Sequence, residues 1–281
     1  MTSPTSSGPA GSHFEGQVGA YYLLAMLAGA EARGLPGCTI DHIRLQGMAE
    51  GHSLDDVIVH AHEGSGKAVS LEIQVKRHIS FAPADKVFAA VMEQVSSALL
   101  APNFWGTRLE LAVATAHHSK QIDGPYQDIL TWARELGDAA SFHKRPTLPD
   151  ITSETMRTFV STFRDHLKAN GAPSDDQTVW KLLRRFHILV FDFTAEASAD
   201  KDLAKERAVR VLLPGHEHLA SELWRSLIER SVKIAASGGD RTRDQLLSES
   251  ESGFEFAPVR RHQEALARLG EFSRQALVSC L

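Results

Sequence analysis

"LDDVIVHAHEGSGKAVSLEIQVKRH", from Leu54 to His78, reads as a β-hairpin, two β-rich runs joined by the turn "HEGSGK". Side chains alternate along a strand, so Leu71, Ile73 and Val75 share one face of the second run and Glu72, Gln74 and Lys76 the other. In the first run Val57, Val59 and Ala61 share a face, opposite Asp56, Ile58 and His60. Residues across an antiparallel ladder point the same way, so joining the two apolar faces fixes the register. A turn centred near Ser65 then lays Asp56 across from Gln74, with Lys76 on the diagonal. Opposed side chains lie about 5 Å apart and diagonal ones about 7–8 Å, which gathers a carboxylate, an amide and an ammonium into one small volume. By the same parity Asp55 points to the valine side or the strand entrance, and Asp56 is favoured over it as the working acid. Ile58 interrupts the polar face. The alternation alone favours an ordinary solvated hairpin, with opposite charges paired across the strands.

Upstream, "FEGQVGAYYLLAMLAGA" spaces Val18, Tyr22, Ala25 and Met26 at helical intervals before a break at Gly34 to Gly37, and sets Glu15 in or just before the first helical turn. "CTIDHIRLQG" predicts a strand. "PADKVFAAVMEQVSSALL" predicts a helix opening at Pro83, and "RLELAVATAHH" a largely apolar, central strand. Helix, strand, hairpin, helix, strand describes an α/β fold with a mixed sheet flanked by helices. Beyond about Ser119, "PYQDILTWARELGD", "SETMRTFVSTFRDHLKANG", "DDQTVWKLLRRF" and "HEHLASELWRSLIERSVKIAASGG" read as helices, interrupted by the strand "HILVFDF". The expected organisation is a flexible leader over 1–12, a core over 13–120, a mainly helical C-terminal extension with one further strand over 121–247, and a linker with a terminal helix over 248–281.

The chain has 281 residues, 43% hydrophobic and 23% charged, enough apolar content for a substantial core. A formal net charge of −5 means that any contact with nucleic acid must come from local basic clusters. Two cysteines, Cys38 and Cys280, form neither a metal spacing nor a disulfide framework, which leads us to expect a reducing cytoplasm. No apolar stretch is long enough to span a bilayer, and "MTSPTSSGPAGSHF" lacks the pattern of a secretory signal.

An acid on one strand, Gln74-x-Lys76 across a turn, and an upstream helical Glu15 resemble the PD-(D/E)XK nuclease superfamily. The match is to the variant with glutamine at the second position, as in Mrr-type restriction endonucleases. The order of elements resembles that family's restriction-endonuclease-like αβββαβ core. "FEGQVGAYYLLAML", "LDDVIV", "LEIQVKR" and "LELAVATAHHSK", in that order, are similar to the double-strand DNA endonuclease domains of bacterial antiphage systems. Those domains sit on cyclic-oligonucleotide-activated effectors and at the front of antiviral STAND ATPases. The likeness runs over roughly residues 13–250, with specific motifs only in 15–76, and its trailing part includes "ELWRSLIERSVKIAASGGDRTRDQLL".

The resemblance implies a Mg²⁺- or Mn²⁺-dependent phosphodiester hydrolase acting on double-stranded DNA. Asp56 would anchor the cation, Gln74 would add its side-chain oxygen and Val75 its backbone carbonyl, all hard oxygen donors. Lys76 would hold and acidify the attacking water beside the phosphate. Glu15 would bind metal through water or steady the lysine, and Glu72 would serve a second metal or restore the charge that glutamine omits. Arg77 and His78 would contact phosphates. Little sequence preference is expected, since nothing reads as a base-reading helix. The family pattern further implies a homo-oligomer joined to a sensor or ATPase module outside this chain.

Other signals carry less. "EGSGKAVS" imitates part of a phosphate-binding loop but lacks its first glycine and the hydroxyl residue after Lys67. His117-His118 and His216 with His218 have no third ligand at a metal spacing. Lys181, Arg184 and Arg185 on "WKLLRRF", Arg241 with Arg243, and Arg260 with Arg261 are basic groups of low specificity.

Overall fold

A computed structural model describes residues 9–47, 51–102, 104–148, 152–249 and 253–258. The hairpin forms in the register that its alternation dictates. Strands β3 (Val57–Glu63) and β4 (Ala68–Val75) pair antiparallel, with Val57 opposite Ile73, Val59 opposite Leu71 and Ala61 opposite Val69. Their turn closes through Glu63 N donating to Lys67 O at 2.9 Å and Gly66 N to Glu63 O at 2.8 Å. Gly66 takes φ +83°, a backbone conformation that costs a residue without a Cβ least. "EGSGK" is therefore turn chemistry.

Around the hairpin runs a seven-stranded sheet. Its order is β1 (Glu31–Ala32), β2 (Leu35–Leu45), β3, β4, β5 (Leu109–Thr115) and β6 (Phe186–Val190), and β7 (Gly239–Thr242) also pairs with β2. The first four strands and β7 pair antiparallel, while β4–β5 and β5–β6 are parallel. The sheet is thus mixed. The apolar run of β5 is covered on both sides, as a central parallel strand requires.

One face, carrying Ile43, Val57, Val59, Leu71, Ile73, Ala112 and Ala114, is covered by α1 (Pro9–Leu27), α7 (Ala199–Val211) and α8 (Ala220–Ser237). The other, carrying Leu111, Val113, Phe186 and Ile188, is covered by α2 (Lys86–Leu100), α3 (Gln127–Glu135), α4 (Ala139–Lys144), α5 (Glu154–Ala169) and α6 (Asp176–Arg185). The short α9 (Arg243–Ser248) follows β7. No helix of the described residues is long and apolar enough to cross a membrane.

Glycine lets α1 and α8 approach closely. A Cβ on Gly16 would stand 2.6 Å from Val232 Cγ2, and one on Gly19 would stand 2.1 Å from Ser231 Oγ. Both helices can then bury their facing sides against each other with little between them.

Several boundaries differ from expectation. Helix α1 opens at Pro9, so residues 9–12 are helical rather than leader, and Glu15 stands in the second turn; residues 1–8 lie outside the described ones. Helix α2 opens at Lys86 rather than Pro83, because the Asp85 carboxylate caps it, accepting from Val87 N at 2.8 Å and Phe88 N at 3.3 Å. Residues 121–247 supply two strands to the sheet and helices to both layers, so they are built into the fold rather than appended to it. Part of the expected linker is tied down: Leu213 N donates to Glu255 O and Ala257 N to Val211 O. The terminal helix expected near the C-terminus falls almost wholly on residues 259–281, outside the described ones.

Candidate functional site

Three strands end side by side, and their ends build the site. The β2–β3 register sets Leu45 opposite Val57 and the β3–β4 register sets Val57 opposite Ile73. One step further, the same registers align Gln46, Asp56 and Gln74 in a row across the sheet. Asp56 is held there by two donors: Val75 N at 2.6 Å and Gln74 Nε2 at 2.5 Å, both to Oδ2. Its Oδ1 accepts from Gln46 Nε2 at 3.4 Å. The ammonium of Lys76 lies 4.0 Å from Oδ2. Glu15 arrives from α1 and accepts from the same Gln46 amide at 2.6 Å. Parity along the hairpin gathers Asp56, Gln74 and Lys76 and the family resemblance adds Glu15; the structure brings those four together.

The cluster is buried and electrostatically strained. Asp56 is 8% exposed and Gln74 3%. Burial, reinforced by the Glu15 and Asp55 carboxylates, pushes the Asp56 carboxyl up to about 7; the Lys76 ammonium and the Val75 N–H oppose the rise. Burial raises Glu15 as well, against the Gln46 hydrogen bond and Lys76. It likewise raises Asp55, whose backbone carbonyl accepts from Gly47 N at 2.8 Å. Three carboxyl groups thus crowd one lysine.

Gln74 Oε1 is buried and has no hydrogen-bond partner. With Asp56 ionised, reversing the amide would press its oxygen against Oδ2 at the 2.5 Å now spanned by the N–H, so in that state the orphaned atom is the oxygen. A buried lone pair without a donor is costly unless something electropositive meets it. The backbone adds a third oxygen. Val75 N–H faces Asp56, while Lys76 N–H faces Ala114 O at 2.9 Å on the other side. Along a strand the N–H and C=O of one residue point the same way, so the Val75 carbonyl also faces the Asp56 side. Among the described residues no three His, Cys, Asp or Glu side chains converge as a metal site. The donors that fit a hard divalent cation are therefore one carboxylate, Asp56, with the neutral oxygens of Gln74 and Val75.

Glu72 is placed differently. Its Oε1 pairs with His52 Nδ1 at 2.8 Å, and Oε2 accepts from Ser53 N at 3.1 Å and Leu54 N at 3.2 Å. The carboxylate thereby pins the segment that delivers Asp55 and Asp56, two residues along β4 from Gln74. Arg77 and His78 follow the end of β4, half-buried and exposed respectively, and the Arg77 carbonyl accepts from Thr115 Oγ1 at 3.3 Å. Ile58, out of place on a polar face, is fully buried beneath Gly47, where a Cβ would come within 2.5 Å of its Cδ1.

Among solved structures the chain is similar to the Cap4 SAVED/CARF-domain containing receptor of Acinetobacter baumannii. It matches the complex with the cyclic trinucleotide 3'3'3'-cAAA at 11% identity and TM-score 0.47, and that with 2'3'3'-cAAA at 12% and 0.46. Each match covers 88% of this chain and 44% of the receptor, so the chain spans less than half the length of those proteins. No family model matches the chain, and no curated protein matches it.

Gln46 is the residue that sequence reasoning missed. Its backbone sits at φ +60°, uncommon for a residue with a side chain, and its amide joins the two acids. The signal was present in "RLQG": pairing that strand with "VIVH" sets Gln46 beside Asp56 by the same step that sets Asp56 beside Gln74.

Proposed function

We propose that this chain is a divalent-metal-dependent endonuclease that hydrolyses phosphodiester bonds of double-stranded DNA, an antiphage effector built on a restriction-endonuclease-like core. One observation carries the reading: the unpartnered Gln74 Oε1 stands beside the Asp56 carboxylate, with the Lys76 ammonium 4.0 Å from that acid. The succession α1, β1 to β4, α2, β5, in which β1 is only two residues long, supports the same fold assignment.

Asp56, Gln74 Oε1 and the Val75 carbonyl would hold Mg²⁺ or Mn²⁺. A bound cation of that kind supplies Lewis acidity, neutralising charge on the phosphate and making water easier to deprotonate. Lys76, a third exposed, reaches from the rim toward the acid, where its ammonium can orient a water and stabilise the charge that develops on phosphorus-bound oxygens. In the reaction the water oxygen bonds to phosphorus and the phosphorus–ester oxygen bond breaks; the water gives up a proton and the departing oxygen takes one up. Glu15 and Gln46 position Asp56. Arg77 and His78, past the end of β4, are proposed to meet the flanking phosphates. By the family resemblance, assembly into a homo-oligomer and a linked sensor or ATPase module govern activity.

A plasmid-nicking assay tests this. Cleavage in Mg²⁺ or Mn²⁺ that stops in EDTA is expected, and Lys76→Ala should lower its rate by about 10²-fold or more with unchanged circular dichroism. Near wild-type cleavage by that variant removes the site assignment. DNA binding without cleavage in either metal would make the chain a non-catalytic adaptor, and cleavage confined to methylated plasmid would make it a modification-dependent restriction enzyme.

A further inference from the structure

A cleft of about 670 Å³ opens at the other end of the central strands, where β5 and β6 begin. Glu110, on its wall, precedes Ala114 beside Lys76 by four residues, about 13 Å along the strand. Five cationic side chains line it, Arg108, Arg134, Lys181, Arg184 and Arg185, against the single carboxylate of Glu110. That concentration stands out in a chain of net charge −5.

Ordinary helix electrostatics explain part of it, because Arg184 and Arg185 lie in the last turn of α6, where cations are favoured. They do not explain the convergence. Arg108 precedes β5 and Arg134 comes from α3. Glu110 already answers Arg108 at 3.3 Å and accepts from His187 Nε2 at 3.1 Å. His187, its pKa lowered by burial, takes the hydrogen bond of Arg134 on Nδ1 at 3.1 Å and adds no charge. Among the described residues Arg134, Lys181, Arg184 and Arg185 form no ion pair, and Arg134 Nε is buried without an acceptor. Desolvation holds the Arg134 and Arg185 guanidiniums below their usual range, a penalty that an anion would relieve. Trp105 stands at the rim, 37% exposed, with the Arg185 guanidinium 5.4 Å and the Lys181 ammonium 5.7 Å from its ring centroid.

We propose that this cleft binds a small oligophosphate anion, either a nucleoside polyphosphate or an inorganic polyphosphate. Guanidiniums in a fixed array and a mobile ammonium suit several adjacent phosphates, and the volume is that of a small-ligand site. The exposed indole at the rim offers a stacking surface to a base.

Calorimetric titration of the full chain in EDTA with ATP and with tripolyphosphate tests the proposal without reading the candidate cation site. Both Lys181 and Arg184 are exposed, so the double variant Lys181→Glu, Arg184→Glu leaves the core intact and should weaken binding at least about tenfold. Trp105→Ala separates the sources: weaker ATP with unchanged tripolyphosphate identifies a nucleotide ligand, and no change in either identifies the inorganic chain. The proposal is overturned if neither compound binds, or if binding survives the charge reversal. Binding of duplex DNA alone, lost on that reversal, overturns it in favour of a nucleic-acid track.

Discussion

Gln74 gives its amide hydrogen to Asp56 Oδ2 at 2.5 Å and keeps its own oxygen buried without a donor. The pair has the polarity of a cation site, with the N–H securing the acid and the oxygen left over for the ion. Without an ion, the strain falls on Asp56, whose carboxyl is pushed up to about 7. An acid whose folded pKa lies above its unfolded value of 3.8 binds its proton more tightly when folded, so its contribution is lost as pH rises from 3.8 toward 7. At pH 8 in EDTA, Asp56→Asn should therefore be more stable than the parent by on the order of 2 kcal/mol, read as a rise of about 4–8 °C in Tm. It should also abolish any further rise on adding Mg²⁺. An equal Mg²⁺-induced shift in both proteins would refute the ligand assignment.

Gln46 should matter although it carries no charge. Gln46→Ala removes the donor that serves both Glu15 Oε1 and Asp56 Oδ1, leaving two acids facing each other. Cleavage should fall by about 10–100-fold, the scale of losing a group that orients a ligand. As a positioning residue it should be rescued in part by Gln46→Asn at raised Mg²⁺, whereas Lys76→Ala should not be. Identical metal titration curves for parent and Gln46→Ala would argue against this role.

Much of this site was legible because it lies on a hairpin. Parity along two strands and the apolar match of Val57 and Val59 with Leu71 and Ile73 suffice to place Asp56 beside Gln74, and the observed register agrees. The bond between Glu15 and Gln46 spans 31 residues and depends on how α1 crosses the end of β2, which no local pattern encodes. Strand β7 was illegible for another reason: "GDRT" has no apolar alternation, and its partner β2 lies almost 200 residues upstream. Helix α7 buries only Ala204, Ala208 and Val211, too narrow a stripe to stand out from a polar linker. Glu72 looked like a ligand by parity, but its oxygens face the 52–54 backbone and His52.

The α1–α8 contact predicts a packing defect one helical turn from Glu15. At Gly19 a Cβ would stand 2.1 Å from Ser231 Oγ and 3.4 Å from Leu45 Cδ2, so Gly19→Leu must push the helices apart. Overpacking on that scale costs about 3 kcal/mol, well above the ~1 kcal/mol gained by replacing glycine inside a helix. Urea denaturation should show a lower midpoint with an unchanged slope, and Ser231→Gly should recover part of the loss. A midpoint equal to the parent's would mean that α1 and α8 do not meet as described.

The half-buried His60 should make stability fall in mild acid. Its ring stacks on His42 at 4.2 Å between centroids, lies 5.8 Å from that of His52, and shares a hydrogen bond with Ser70 Oγ at 3.2 Å. Burial lowers its pKa from 6.5 to about 4, with His42, His52 and Arg44 adding to the drop and Asp240 opposing it. Below pH 6.5 the unfolded chain therefore takes up a proton that the folded chain refuses until about pH 4, and stability declines across that window. His60→Gln keeps a group able to bond Ser70 but cannot titrate. Its urea midpoint should change less between pH 7 and pH 5 than the parent's, with the two proteins closest at the lower pH. Parallel midpoints over that range would show that the histidine stack accepts its proton as readily as a solvated imidazole does.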